Sequence, residues 1–169
     1  MIHLITGGER SGKSRYAQQL ALAHASRPVY LATAVPPSDD ESFAQRIARH
    51  QQERTNQWTT VEEPLYPHRV LPSEGAVVID CVTLWLNNWL AKQQYDKDKA
   101  LAAAQQAFDQ LLPSECLLLV VTNEVGMGLH ASCQVGRDFV ELQGWMNQYI
   151  AQRAQQVTFM VAGLPLTVK

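Results

Sequence analysis

A short segment near the N terminus has the residue types and spacing needed to hold a chain of phosphates. It fits the pattern G-x-x-x-x-G-K-[ST] and consists of Gly7, Gly8, Glu9, Arg10, Ser11, Gly12, Lys13 and Ser14. In this pattern the glycines let backbone N–H groups approach phosphate oxygens, the lysine reaches the β- and γ-phosphates, and the hydroxyl binds Mg²⁺. An apolar run precedes the segment and a helical pattern follows it, so a chance glycine turn is the weaker interpretation. The sequence predicts a site for a nucleoside triphosphate with Mg²⁺.

Polar side chains at the ends of two other apolar runs could complete this site. Asp80 ends the run from Ala76, which is the form taken by a second metal-binding strand, so Ser14 and Asp80 are the predicted metal ligands. Asn123 and Glu124 follow another run, Leu117 to Thr122. They are candidates for the same site or for capping the glycine-containing loop after them, and the sequence favours neither role.

A histidine between two arginines is the second chemical feature. Arg46, His50 and Arg54 are spaced by four residues, which places them on one stripe of a predicted helix. Two neighbouring cations disfavour the imidazolium form, so His50 is expected to be neutral and nucleophilic, while the guanidiniums could bind phosphate oxygens. The spacing by itself is better explained by a solvated basic face, and the nucleophile hypothesis needs further support from the rest of the chain.

These residues require an α/β fold to position them. Five apolar runs are predicted as strands (2–6, 29–34, 76–81, 117–122 and 157–162), and five helical patterns lie between them (13–25, 40–54, 82–91, 97–112 and 137–155). The runs are almost continuously apolar, which is typical of parallel strands in the middle of three layers. A short extra strand is predicted at Trp58–Glu63, and an antiparallel edge strand at 166–169 after a turn at 163–165. Asp80 is then expected at the carboxyl edge of the sheet, beside the phosphate loop.

Composition narrows the class of protein. The 169 residues are 46% hydrophobic and carry a net charge of -2, which suits one domain spanning residues 1–169 and argues against a general nucleic-acid or polybasic membrane surface. The three cysteines are odd in number and lack C-x-x-C spacing, so a reducing compartment is expected. Neither a signal peptide nor a membrane-spanning run is recognisable. We expect a cytoplasmic protein.

Further motifs resemble one known family along the whole chain. They are Tyr30-x-Ala32-Thr33, Arg46-Ile47-x-x-His50, Trp58-x-Thr60-x-Glu62, Asp80-Cys81-Val82-Thr83, Thr122-Asn123-Glu124-Val125-Gly126-x-Gly128, Gly136-Arg137-x-Phe139 and Asn147-Gln148. With the phosphate loop, these motifs are similar to those of the bifunctional adenosylcobinamide kinase/adenosylcobinamide-phosphate guanylyltransferases of adenosylcobalamin biosynthesis. A generic phosphate loop does not bring these motifs with it, so the resemblance is specific.

The resemblance implies a RecA-like P-loop NTPase fold and two activities in a homotrimer. The first activity phosphorylates adenosylcobinamide, with ATP or GTP as donor. The second transfers GMP from GTP to His50, which the alignment places at the guanylylated position, and then to adenosylcobinamide phosphate. The implied catalytic residues are Lys13 and His50. The implied nucleotide contacts beyond residues 7–14 are Ala32, Thr33, Ala34, Gln51, Gln52, Glu53, Arg54, Glu62 and Asp80.

Two rival interpretations compete with this hypothesis. A single-activity small-molecule kinase would use the phosphate loop and Asp80 but give His50 no role. A RecA-like binding module would need a nucleic-acid or protein surface.

The chain also departs from the family pattern at several positions. Asp80 stands where a glutamate is common, Arg49 and 51–54 differ from the usual run around the histidine, and Leu129-His130 replaces an expected Val-Pro step. The departures concern the guanine and metal contacts more than the reaction.

Overall fold

A computed structural model of the protein describes residues 1–35, 56–112 and 114–169. In chain order its elements are β1 (Ile2–Gly7), α1 (Lys13–His24), β2 (Val29–Ala32), β3 (Thr59–Glu62), a 3-10 helix (Pro67–Arg69), β4 (Ala76–Asp80), α2 (Val82–Lys92), α3 (Lys97–Asp109), β5 (Leu117–Val121), α4 (Gln134–Arg153), β6 (Gln156–Val161) and β7 (Leu164–Thr167). The predicted helix at 40–54 lies outside the described residues.

The strands form one seven-stranded sheet in the order β3-β2-β4-β5-β1-β6-β7. Every neighbouring pair is parallel except β6 and β7, which are antiparallel. The loops that follow β1, β2, β4 and β5 therefore leave the sheet at the same edge, its carboxyl edge. In open sheets of this kind ligands bind at that edge.

The apolar side chains of the strands divide between the two faces of the sheet. On one face, strand residues such as Leu31, Ile79 and Val120 pack against α2, α3 and α4. On the other face, Val78 and Leu119 pack against the small residues of α1. Both sides of the central strands are thus buried, which explains their continuous apolar runs and confirms the predicted three-layer α/β architecture.

The predicted strands and helices within the described part of the chain are present, with shifts of a few residues at their ends. The C-terminal edge strand is antiparallel, as expected, but the predicted turn at 163–165 and strand at 166–169 are wrong in position. The turn consists of Ala162 and Gly163, both with positive φ (51° and 84°), and β7 begins at Leu164. A two-residue turn with two positive φ values matches the right-handed twist of the strands, and an edge strand can accommodate Pro165.

Candidate active site

The predicted phosphate loop connects β1 to the first turn of α1. Gly7 has φ +151°, and a Cβ built there would lie 2.6 Å from the Met160 carbonyl oxygen and 2.8 Å from Ser11 Oγ. Gly12 has φ +96° and a Cβ there would lie 3.3 Å from Gly163 Cα. Glycine is required at these two positions both by backbone conformation and by close packing. A tight backbone of this kind before a helix N terminus can present N–H groups to an anion.

Two neighbouring segments fix this loop from outside. The backbone N–H of Glu124, just after β5, donates to the Gly7 carbonyl oxygen at 3.0 Å. On the other side, the N–H of Gly163 in the β6–β7 turn donates to the Ser11 carbonyl oxygen at 3.0 Å. The C-terminal hairpin thus contributes to the site by supporting the loop.

Lys13 is buried inside the loop, with 7% of its surface exposed. Its Nζ donates to the Gly8 carbonyl oxygen at 2.5 Å and to Ser11 Oγ at 3.4 Å. Burial lowers the pKa of Lys13, and the charges of Cys81, Asp80 and Glu9 oppose that shift. Because burial raises the pKa of the Cys81 thiol to about 12, that thiol is neutral at ordinary pH and the two carboxylates are the relevant charges. A phosphate entering the loop would replace the carbonyl and hydroxyl partners of Lys13.

Asp80 ends β4 at the carboxyl edge, as predicted, but one strand, β5, lies between β4 and the strand of the phosphate loop. The pairing registers Asp80 with Ala32 of β2, and Ala32 with Glu62 of β3, so these three residues form one row across the edge. Side chains alternate along a strand, and Val78 belongs to the face covered by α1. The side chain of Asp80 therefore lies on the same face as α1, whose first turn carries Ser14.

The other predicted nucleotide contacts differ in exposure. Gly8, Glu9, Arg10 and Glu62 are exposed, while Ala32, Ala34 and Ser14 are half-buried. Thr33 is fully buried, with its N–H donating to the Asp80 carbonyl oxygen (3.2 Å) and its hydroxyl donating to that of Cys81 (2.8 Å). In the structure Thr33 thus supports the end of β4 through hydrogen bonds.

Glu124 caps the loop that follows it, which was one of its two predicted roles, whereas the Asn123 side chain bonds to a different element. Glu124 Oε1 accepts a hydrogen bond from the Gly126 N–H at 3.1 Å, which caps the loop. Asn123 Nδ2 donates to Thr83 Oγ1 at 3.0 Å, which ties the end of β5 to the start of α2.

A buried polar network behind Asn123 was not predicted from the sequence. Gln143 and Thr122 are fully buried, and Gln143 Nε2 donates to Thr122 Oγ1 at 2.9 Å and to Asn147 Oδ1 at 3.0 Å. Asn147 Nδ2 in turn donates to the Asn123 carbonyl oxygen at 3.1 Å. The i, i+4 spacing of the two amides on α4 was the available signal, but only the fold brings them to the end of β5.

Ser14 and Asp80, the predicted metal ligands, offer a hydroxyl oxygen and carboxylate oxygens. A carboxylate has about four acceptor positions, so the bond that Asp80 accepts from Tyr30 leaves capacity for Mg²⁺, which binds proteins through one or two carboxylates or hydroxyls together with phosphate oxygens. Ser14 and Asp80 fit this description. Within the described ranges, no group of three or more His, Cys, Asp or Glu side chains forms a self-contained metal site. Any Mg²⁺ here would depend on phosphate ligands.

His50, Gln51, Gln52, Glu53 and Arg54, with Arg46, lie outside the described residues. Their roles stay predictions from the sequence. None of the helices in the part of the chain that the structure describes has the length and hydropathy of a membrane-spanning segment.

Comparison with known proteins identifies relatives along the whole chain. Residues 3–168 match the family model described as "Cobinamide kinase / cobinamide phosphate guanyltransferase". The bifunctional adenosylcobalamin biosynthesis protein CobP of Pseudomonas aeruginosa is 38% identical, over 100% of this chain and 98% of its own length. The protein CobU of Escherichia coli, with the same description, is 35% identical over the full length of both chains. The relatives thus match the loop, the strands and the helices together.

Proposed function

The chain belongs to the cobinamide kinase / cobinamide phosphate guanyltransferase family, as its motifs predicted, and on this premise we propose that it catalyses both reactions. It would phosphorylate adenosylcobinamide with ATP or GTP. It would then transfer GMP from GTP to the new phosphate through a guanylylated histidine. The observation that carries the proposal is the phosphate loop at the carboxyl edge, with Lys13 buried in it and Asp80 on the same face of the sheet.

In the kinase reaction the loop binds the triphosphate. Lys13 would exchange its bonds to Gly8 and Ser11 for bonds to the β- and γ-phosphates, and the loop N–H groups would hold the remaining oxygens. Ser14 and Asp80 would hold Mg²⁺, which neutralises phosphate charge when bound. The substrate hydroxyl oxygen forms a bond to the γ-phosphorus, the bond from that phosphorus to the β,γ-bridging oxygen breaks to release the nucleoside diphosphate, and the hydroxyl proton is released to solvent.

In the transfer reaction the proposed nucleophile is His50. A neutral imidazole nitrogen attacks the α-phosphorus of GTP, a phosphorus–nitrogen bond forms, and pyrophosphate leaves. A phosphate oxygen of adenosylcobinamide phosphate then attacks the same phosphorus, and the bond to His50 breaks. The role of His50 rests on the family motif Arg46-Ile47-x-x-His50 and on the neighbouring arginines in the sequence.

Three broader expectations remain proposals. The single sheet that runs from β1 to β7 supports one domain over residues 1–169. The cysteines Cys81, Cys116 and Cys133 are free thiols, which supports a reducing compartment such as the cytoplasm. A homotrimer is proposed from the family resemblance, and a solution mass of three times 18.9 kDa would support it.

The test of the proposed function uses GTP and Mg²⁺ without a corrinoid. We expect peptide mass spectrometry, under conditions that preserve phosphoramidates, to find a GMP adduct on His50 in the natural chain and none in His50→Ala. His50→Ala should keep the kinase reaction, whereas Lys13→Ala should lose phosphoryl transfer by about a hundredfold or more, because removing a charged transition-state contact costs several kcal/mol.

Two results of these measurements would contradict the proposal. A natural chain with kinase activity but no adduct would be a single-activity kinase. Near-normal phosphoryl transfer by Lys13→Ala would contradict the assignment of the phosphate loop itself.

A further inference from the structure

The carboxylate of Asp80 is held from the adjacent strand by a buried tyrosine. Tyr30 of β2 pairs with Val78 of β4, two residues before Asp80, so both side chains lie on the face covered by α1. The Tyr30 hydroxyl donates to Asp80 Oδ2 at 2.5 Å, and only 5% of Tyr30 is exposed. The bond thus joins a buried hydroxyl to a half-buried carboxylate, and hydrogen bonds to carboxylates are shorter and stronger as a class than those between neutral groups.

The surroundings fix both partners of this bond. The ring of Tyr30 packs edge-on against Trp58, with ring centroids 6.0 Å apart. The main chain at Asp80 is fixed by Thr33, whose N–H donates to the Asp80 carbonyl oxygen, and Asn88 Nδ2 donates to the Thr33 carbonyl oxygen at 2.7 Å. With the backbone and the tyrosine ring both held, the hydroxyl sets the direction in which the carboxylate points.

We propose that Tyr30 is a positioning residue, whose hydroxyl orients the Asp80 carboxylate for binding the Mg²⁺ of the nucleotide complex. This inference rests on the proposed function, which assigns Mg²⁺ to Ser14 and Asp80. A carboxylate at a strand end can rotate about two side-chain bonds, and the hydrogen bond selects one orientation before the metal arrives. Ligating carboxylates are commonly fixed by such hydrogen bonds, and removing the partner typically costs 10–100-fold in metal affinity or activity.

The test compares Tyr30→Phe with a matched tyrosine elsewhere. Tyr30→Phe keeps the ring and its contact with Trp58 but removes the hydroxyl. Mn²⁺ binding is titrated by electron paramagnetic resonance with a non-hydrolysable GTP analogue present, and the Mg²⁺ dependence of the kinase rate is measured in parallel. We expect Mn²⁺ affinity to fall roughly tenfold or more and the half-saturating Mg²⁺ concentration to rise by a similar factor.

The control is Tyr149→Phe, because the Tyr149 hydroxyl also donates to a carboxylate, Asp109 Oδ2, at 2.7 Å. That pair links α4 to α3, away from the phosphate loop, so its loss should leave both metal measurements unchanged. A purely structural role of Tyr30 would lower stability without moving the Mn²⁺ titration. Unchanged Mn²⁺ affinity and Mg²⁺ dependence in folded Tyr30→Phe would overturn the inference.

Asp80→Asn distinguishes the failure of this inference from the failure of the proposed metal site. If Asp80→Asn weakens Mn²⁺ binding while Tyr30→Phe does not, the positioning role alone is wrong. If Asp80→Asn also binds Mn²⁺ as the natural chain does, the assignment of Asp80 as a metal ligand is wrong and the inference falls with it.

Discussion

At the scale of single residues, the candidate site depends on positions where only a glycine fits. Gly7 is the clearest, because a Cβ there would overlap the Met160 carbonyl oxygen and Ser11 Oγ, and its φ of +151° is unfavourable for other residues. Gly144, in the middle of α4, has the opposite environment: a Cβ there meets no atom within 4 Å. The same substitution should therefore have opposite effects at these two glycines.

We predict that Gly7→Ala lowers the free energy of unfolding by about 1–3 kcal/mol and weakens GTP binding roughly tenfold or more, because the loop must move to admit the methyl group. Gly144→Ala should raise the free energy of unfolding by about 0.5–1 kcal/mol and leave GTP binding unchanged, because alanine loses less conformational entropy in a helix. Equilibrium urea unfolding and GTP titration measure both quantities. Similar GTP affinity in the two variants would show that the close packing at Gly7 is unimportant for the site.

At the scale of elements, the contact between β5 and α4 is specified by the buried polar network. The hydroxyl of Thr122 is bonded to both amides, those of Gln143 and Asn147. This network holds the end of β5. Asn123 and the loop that Glu124 caps follow directly after it. Thr6 provides a comparison one strand away, since its buried hydroxyl has no hydrogen-bond partner among the described residues.

Thr122→Val should therefore destabilise the fold by about 1–3 kcal/mol, because it keeps the shape but removes the hydroxyl that accepts from the buried Gln143 amide and donates to Asn147. Thr6→Val should be neutral or stabilise by up to about 1 kcal/mol, because it removes a buried hydroxyl that lacks a partner. Thermal and urea unfolding of the two variants provide the measurement. Equal stability losses would mean that the network contributes nothing beyond side-chain shape.

At the scale of the whole molecule, one buried histidine couples folding to pH. His3 of β1 is hydrogen-bonded to Thr158 of β6 at 2.8 Å, packs edge-on against Tyr16 of α1, and shares a cavity of about 220 Å³ with His24. Burial lowers the pKa of His3 below its ordinary value of 6.5. As the pH falls through 6.5, the unfolded chain binds a proton on this residue before the folded chain does, so protonation favours unfolding.

The free energy of unfolding is thus predicted to fall as the pH is lowered from 7.5 through 6.5 toward the depressed pKa of His3. His3→Gln, which keeps a side chain able to bond to Thr158 but does not titrate, should show a shallower dependence on pH in that window. The comparison of urea unfolding at several pH values tests this sign. An identical slope in the two chains would remove His3 as a source of the pH dependence.

The sequence by itself determined those features that depend on local order. The glycines, Lys13 and Ser14 lie within eight consecutive residues flanked by strand and helix signals, so the loop could be predicted from a short stretch, and the alternation of apolar runs and helical patterns predicted the α/β class. The family motifs were likewise readable without a structure. The antiparallel edge strand was predicted, but its turn was misplaced because Gly-Leu-Pro suggested a turn over 163–165, whereas an edge strand has no need of the proline N–H and β7 already begins at Leu164.

Only the tertiary structure decided which distant residues meet. Strand order is set by packing across the sheet, which is why β5 lies between the Asp80 strand and the loop strand and why Tyr30 reaches Asp80 from β2. The side-chain amides of Gln143 and Asn147 on α4 likewise reach the end of β5 only in the folded chain. Such contacts join residues far apart in the chain, and their energies depend on burial and geometry that no local pattern contains.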